Sequence, residues 1–312
     1  MALNTTGTTG LNAEDIDGHS QFAYIHFTIA AAIALLLCLI GLVGNTIVLR
    51  YLCFKIQKNT FTTYSINLAV AYFIFLLFTV GVLSLSIHTL TSAQPDFPGK
   101  DSLYILIEII YDSTFYSGIF ILTAISLERC ISITFPVWHE CHRPKTLSAI
   151  VCVILWLVGC LVSLSENFIC TPDAFVTPTS GCTAIQLITF SLAIIVCLPI
   201  MVTSCLILII RIKKKFNQQV STELYAFIIL AVIAFIVSVV PVNFLWLLLY
   251  FNLMSKDIQT VALFFASIYG TVLNCTIIPY FYIIAEIKWK ATFYKSERER
   301  NTDITKCKTD SI

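Results

Sequence analysis

Seven long apolar stretches, separated by short polar connections, dominate the pattern of this 312-residue chain. A bilayer core of roughly 30 Å is crossed by about 20 residues of helix, and each stretch reaches that length. None shows the alternation of a barrel strand, and lipid offers unpaired backbone groups no partner, so each stretch predicts a helix. The predicted spans are Ala23 to Cys53, Phe61 to Ile87, Leu103 to Ile133, Leu147 to Phe168, Ala184 to Ile212, Leu224 to Tyr250 and Ile258 to Ala285.

Composition supports a membrane protein. Hydrophobic residues make up 58% of the chain and charged residues only 12%, which leaves too little polar surface to cover a soluble core. A net charge of +1 carries no signal for nucleic-acid binding. The predicted fold class is therefore an all-α membrane protein, a seven-transmembrane helix bundle over residues 23–285.

The distribution of Lys and Arg predicts the orientation of this bundle. The first, third and fifth connections and the C-terminal tail together carry most of these residues, whereas the opposite side has only Lys100 and Lys256. The segment 1–22 has no Lys or Arg and contains an acceptor sequence for N-glycosylation at Asn4. We expect the N-terminus outside the cell, Asn4 glycosylated and the C-terminus in the cytoplasm.

Residues 286–312 form the predicted cytoplasmic tail. Ile287, Ala291 and Tyr294 share one helical face, while Lys288 and Lys290 lie elsewhere on the helix. This pattern predicts a short amphipathic helix that lies on the inner leaflet, where its lysines would meet anionic membrane lipid.

The third span ends in LTAISLERC, and PVWHECHRPK follows shortly afterwards. This string resembles the class A signature as it occurs in Mas-related G-protein-coupled receptors. Gly44-Asn45, Trp156, Pro199 and the Pro279-Tyr280-Phe281-Tyr282 segment extend the resemblance over all seven spans. The resemblance implies a plasma-membrane receptor that binds an extracellular ligand, couples to a heterotrimeric G protein, can engage arrestin, and acts in pain or itch sensation.

The resemblance also implies which residues switch the receptor. Arg129 would be the pivotal inner residue, held by Glu128 in one state and released to the G protein in another. The remaining switch positions are Ile119, Pro199, Phe235, Pro241, Pro279 and Tyr282. Packing alone would explain Ile119, Pro199 and Phe235 equally well.

Three positions depart from the class A pattern. Tyr72 replaces the second-span Asp, which argues against the buried sodium site of many class A receptors, and Ile278 replaces the Asn before the seventh-span proline. The sixth span has Val239 and Val240 before Pro241 and lacks the usual Trp, an absence typical of Mas-related receptors. These changes leave open a seven-helix protein that no longer signals and acts as a partner or decoy.

The common class A disulfide is excluded, because the outer start of the third span has no cysteine. Cys170 and Cys182 match instead the pair that Mas-related receptors use to tie the fourth span to the fifth. The resemblance therefore implies this bond, which would contribute roughly 3 kcal/mol in a chain-entropy description.

Acidic residues at the outer ends of the spans form the predicted ligand site. Glu108 and Asp112 are four residues apart and share a helical face with Tyr111. Glu166 matches an acidic position of Mas-related receptors that bind cationic ligands, whereas its partner position is Gln186. This set favours a cationic peptide or amine, although Glu108 and Asp112 could equally be water-facing residues at a helix mouth.

Other functional classes have little support. A transporter or channel needs polar groups at mid-membrane or helices broken in matched pairs, and an enzyme needs a protected catalytic centre. No such feature, no metal-ligand cluster and no cofactor motif occurs, so we expect neither an enzyme nor a cofactor. An opsin is excluded because the seventh span has no Lys.

Overall fold

The computed structural model describes residues 13–54, 60–91, 100–144, 146–170, 179–214, 222–251, 253, 266, 268–281 and 283. The first four helices are α1 (Ala13–Phe54), α2 (Thr60–Thr91), α3 (Lys100–Thr134) and α4 (Leu147–Ile169), with a π-helical turn at Trp138–His142 before α4. The fifth span comprises α5 (Ser180–Phe190), a π-helical segment at Ser191–Cys197 and α6 (Leu198–Lys214). The last helices are α7 (Thr222–Ser238), α8 (Val240–Tyr250) and α9 (Ile268–Phe281).

The predicted spans coincide with these helices. Six helical stretches within the described residues are long and apolar enough to cross a membrane, and α9 is a shorter apolar helix in the predicted seventh span. The helix α1 begins at Ala13, ten residues before the predicted start of the first span at Ala23. The difference arises because hydropathy sets the length of a span, whereas a helix continues into water wherever its residues allow.

Prolines interrupt two spans that the sequence predicts as continuous. Proline has no backbone N–H and clashes with the carbonyl four residues earlier. Ile195, four residues before Pro199, lies in the π-helical segment of the fifth span, and the break between α7 and α8 at Val239 lies just before Pro241. The two halves of each of these spans are therefore separate helices.

The helix α3 lies at the centre of the bundle, packed against α2, α4 and α6, and also against α7. Its middle is buried, and the largest fully buried side chains around it include Phe75 and Phe235. Apolar residues that the bundle leaves exposed lie along α1 and α4, where lipid is their natural solvent. The core therefore centres on α3, which carries both the acidic outer residues and Arg129.

Candidate functional site

Polar contacts join the ends of α3 and α4 that the distribution of Lys and Arg predicts to be extracellular, called their outer ends, and position the predicted acidic residues. The hydroxyl of Ser163 donates to the carbonyl oxygen of Ile109 at 2.8 Å. One turn further along α4, the amide of Asn167 donates to the Asp112 carboxylate at 3.0 Å and to the Ser163 carbonyl at 3.0 Å. Asp112 is thus held against α4 and does not simply face water at a helix mouth.

Glu166 is held by two neutral donors from different helices. The hydroxyl of Tyr116 donates to Oε2 at 2.6 Å, and Nε2 of Gln186 donates to Oε1 at 3.1 Å. Gln186 is almost fully buried on α5, so the fourth span is tied to the third and to the fifth through one carboxylate. The structure brings together Glu166 and Gln186, as the family resemblance implies, and adds Tyr116.

Among the described residues, no neighbouring cation balances the negative charges at this end of the bundle. Asp112, Glu166 and Glu108 lie close enough for their charges to interact unfavourably. Within the described residues, none of these three carboxylates forms an ion pair; the recorded ion pairs involve Glu128 instead. An uncompensated group of carboxylates between helices attracts a cation.

Aromatic rings line the bundle next to this acidic group. The ring of Tyr111 packs on that of Phe75 with centroids 4.6 Å apart, and Phe115 lies 6.1 Å from Phe75 and 5.4 Å from Tyr116. Tyr111 therefore joins the predicted site as part of an aromatic cluster shared by α2 and α3. Rings arranged in this way can pack on the apolar part of a ligand or on its cationic group.

The bond between Cys170 and Cys182 closes the outer end of the fourth and fifth spans and confirms the predicted pairing. Tyr250, at the end of α8, is buried against both cysteines, and its hydroxyl lies 2.9 Å from that of Thr183. Nε2 of Gln186 approaches the sulfur of Cys170 at 3.9 Å. The disulfide therefore connects the acidic group to the outer end of the sixth span.

At the opposite end of α3, Glu128 contacts residues that the sequence analysis does not name. Its Oε1 lies 2.8 Å from Nε of Arg143 and 2.9 Å from Nε2 of His139. The guanidinium carbon of Arg129 lies 3.7 Å from the centre of the Phe61 ring. The expected hold of Glu128 on Arg129 is not among the contacts recorded for Glu128, and it stays a prediction.

The centre of the bundle contains the residues that depart from the class A pattern. Tyr72 and Ile278 are buried and line a cavity of about 20 Å³ together with Asn45, Ser65 and Pro279. That volume suits one water molecule, and no described carboxylate lines it. The loss of the sodium site stays a prediction from the replacement of the second-span Asp by Tyr72.

The predicted switch residues are distributed unevenly. Ile119 and Phe235 are buried in the same core, whereas Pro199 and Pro241 are exposed. The two exposed prolines alter the backbone of their spans. Among the contacts of the described residues, none joins Pro199 to Ile119 or Phe235. Asn4, Tyr282 and the predicted amphipathic helix lie outside the described residues, so their roles stay predictions.

Several residues of the site were missed by reasoning from the sequence. Tyr116 lies four residues after Asp112, so helical spacing could have indicated it. Phe61, Arg143 and Tyr250 carry no such signal, because their partners are distant in sequence and only the packing of the helices brings them close.

Comparison with known proteins agrees with this arrangement. The family model described as 7 transmembrane receptor (rhodopsin family) matches residues 44–282. Human proto-oncogene Mas (Homo sapiens) is 31% identical over 298 residues, which cover 94% of this chain and 86% of the relative. Two rat (Rattus norvegicus) Mas-related G-protein coupled receptors are also similar: member D is 32% identical over 73% of this chain and 70% of the relative, and member F is 34% identical over 69% and 62%.

The family match confirms the predicted seven-transmembrane bundle. It also confirms that the protein is a receptor and not an enzyme, because the family consists of receptors. The chain therefore belongs to the rhodopsin family of seven-transmembrane receptors, within its Mas and Mas-related group.

Proposed function

We propose that this plasma-membrane receptor binds a cationic ligand, a peptide or an amine, between the outer ends of its third, fourth and fifth spans. The observation that carries the proposal is the group of Glu166, Asp112 and Glu108, whose charges no ion pair balances among the described residues. Tyr116 and Gln186 hold Glu166 in position, and Asn167 holds Asp112, but these donors bring no positive charge. A bound cation would supply that charge.

The energetic argument is Coulombic. One carboxylate gains up to ~4 kcal/mol from a cation at 4 Å when the effective dielectric constant is near 20, before the cost of desolvation is subtracted. The hydrogen bonds to Glu166 lower the entropy that the side chain loses when a ligand binds, because the carboxylate is already oriented. Tyr111 occupies the position that aminergic receptors use for their acid, so a monoamine is not the preferred ligand.

The opposite end of the bundle would transmit the signal. We place the N-terminus outside the cell, as the distribution of Lys and Arg indicates. Arg129 then lies at the cytoplasmic end of α3, where a heterotrimeric G protein would dock and arrestin could follow. The lysines after the seventh span would contact anionic lipid, and the family resemblance points to a role in pain or itch.

A receptor that no longer signals is the second candidate. The buried Tyr72 and Ile278 favour it, because they place a phenol and an aliphatic side chain where most class A receptors carry polar switch residues. Such a protein would still bind ligand and reach the cell surface but would not signal. One experiment that measures both surface expression and signalling therefore distinguishes the two candidates.

The test measures calcium and cyclic AMP in cells that express the chain, with a panel of basic peptides applied. We expect Arg129→Ala to abolish the response. Glu166→Gln should lower potency at least tenfold, since removal of ~1.4 kcal/mol already corresponds to a factor of ten.

Ser165→Ala is the matched control, because Ser165 lies beside Glu166 on α4 and its hydroxyl donates to the Leu161 carbonyl of its own helix. Surface expression of every variant is measured by antibody to an N-terminal tag. A response that persists in the Arg129→Ala variant would refute the proposed role of Arg129 in signalling. Surface expression with no basal or evoked signal would favour the second candidate.

A further inference from the structure

One partner of Arg129 in this structure is an aromatic ring. The guanidinium lies over the face of Phe61, 3.7 Å from its centre. Phe61 belongs to the first turn of α2 and is buried, so the contact joins the end of α3 to the start of the second span. A cation this close to a ring face is attracted by the ring quadrupole, and burial strengthens the attraction because water screens it less.

Glu128, the neighbour of Arg129, is engaged elsewhere. Its carboxylate pairs with Arg143, whose side chain is only 3% exposed, and with His139 in the π-helical turn. Arg143 in turn donates from Nη2 to the hydroxyl of Ser148 at 3.0 Å, at the start of α4. Glu128 thus binds the connection between the third and fourth spans, called the second inner connection, to the third span.

We propose that Phe61 is the positioning residue that holds Arg129 towards the second span in the resting receptor, while Glu128 fixes the second inner connection. The proposal rests on the proposed role of Arg129 in G-protein coupling. The sequence alone suggests that Glu128 holds Arg129. In the proposal, Phe61 holds Arg129 and Glu128 has a separate role. Arg129 must leave the Phe61 ring before it can meet a G protein.

The first test measures basal second-messenger output at equal surface expression. Phe61→Leu keeps an apolar side chain but removes the ring, so we expect basal output to rise roughly two- to thirtyfold, the range that a lost cation–π contact allows. Phe61→Tyr and Phe61→Trp keep a ring and should restore the low basal output.

Phe54→Leu is the control for the same chemical change, since Phe54 ends α1 and is 84% exposed. It should leave basal output unchanged. A rise for Phe61→Tyr equal to that for Phe61→Leu, or no rise for Phe61→Leu, would overturn the proposal.

The second test does not depend on signalling. Thermal unfolding of the purified receptor is measured for Phe61→Leu, Arg129→Gln and the double variant. We expect the double variant to melt higher than the sum of the two single effects predicts, because the second substitution has no contact left to remove.

Strictly additive effects would overturn the contact. If the unfolding effects are non-additive but the wild-type receptor never signals, the contact stands and the proposed G-protein function fails.

Discussion

The approach of α4 to α3 depends on Gly159, and one added methyl group tests it. A Cβ atom at Gly159 would lie 2.2 Å from the hydroxyl oxygen of Ser117, and 3.0 Å from the backbone oxygen of Ser113 and from the backbone nitrogen of Ser117. The hydroxyl can rotate away, but the backbone atoms cannot, so Gly159→Ala must push the two helices apart. Small residues at such crossings are the usual means of close helix packing in membranes.

The size of the effect follows from two opposing contributions. Overpacking of a tight contact costs about 1–3 kcal/mol, whereas alanine is favoured over glycine in a helix by up to ~1 kcal/mol. Gly81 is the matched control, because the nearest atom to an added Cβ there is a flexible methyl of Ile107 at 4.0 Å. We expect Gly159→Ala to destabilise the receptor by about 1–2 kcal/mol and Gly81→Ala to be neutral or slightly stabilising.

A thiol-reactive dye provides the assay. Cys38, Cys152, Cys197, Cys205 and Cys275 are buried free cysteines that become reactive only on unfolding. At about 2–4 °C per kcal/mol, the apparent melting temperature of Gly159→Ala should fall by roughly 2–8 °C below the wild type. Equal melting temperatures for the Gly159 and Gly81 variants would refute the packing of α3 against α4.

The same substitution should also weaken the response to basic peptides, because the Asn167 contact to Asp112 lies two turns further along α4. Replacement of Cys170 or Cys182 by Ser should destabilise the receptor by roughly 3 kcal/mol, with the double variant equal to either single variant in the same thermal assay. Both substitutions act on one bond, so additive losses would contradict the pairing. Asn4→Gln should abolish the shift in gel mobility on glycosidase treatment, and an unglycosylated wild-type chain would argue against the predicted exterior N-terminus.

The contacts around Glu166 suggest how the outer site and the sixth span influence each other. Gln186 touches both the Glu166 carboxylate and the disulfide sulfur, and Tyr250 packs on the same disulfide from α8. The helix α8 is separated from α7 near Pro241, so its orientation is not dictated by the rest of the span. Any shift of α5 on ligand binding would therefore reach α8 directly.

Hydropathy was sufficient to predict the architecture of this chain. A span needs only an apolar stretch of sufficient length, and a bilayer admits few alternatives to a helix for such a stretch. The pairing of Cys170 with Cys182 was also accessible, because the resemblance to Mas-related receptors carried it. Helical spacing grouped Glu108, Tyr111 and Asp112 correctly on one helix.

Contacts between helices were decided only by the tertiary structure. Glu128 and Arg129 are adjacent in sequence, so the sequence suggests that they pair, yet the described partners of Glu128 are Arg143 and His139 and the guanidinium of Arg129 lies over Phe61. Successive residues of a helix point about 100° apart, so neighbours in sequence often face different helices.

The irregularities of the fifth and sixth spans also depend partly on the sequence and partly on the tertiary structure. Pro199 and Pro241 are visible in the sequence, but a proline states only where regular hydrogen bonding must fail. The packing of neighbouring helices decides which irregularity forms: a π-helical segment, as at Ser191–Cys197, or a break, as at Val239. Local chemistry in the sequence determined the spans, and the packing of those spans against one another determined which side chains meet.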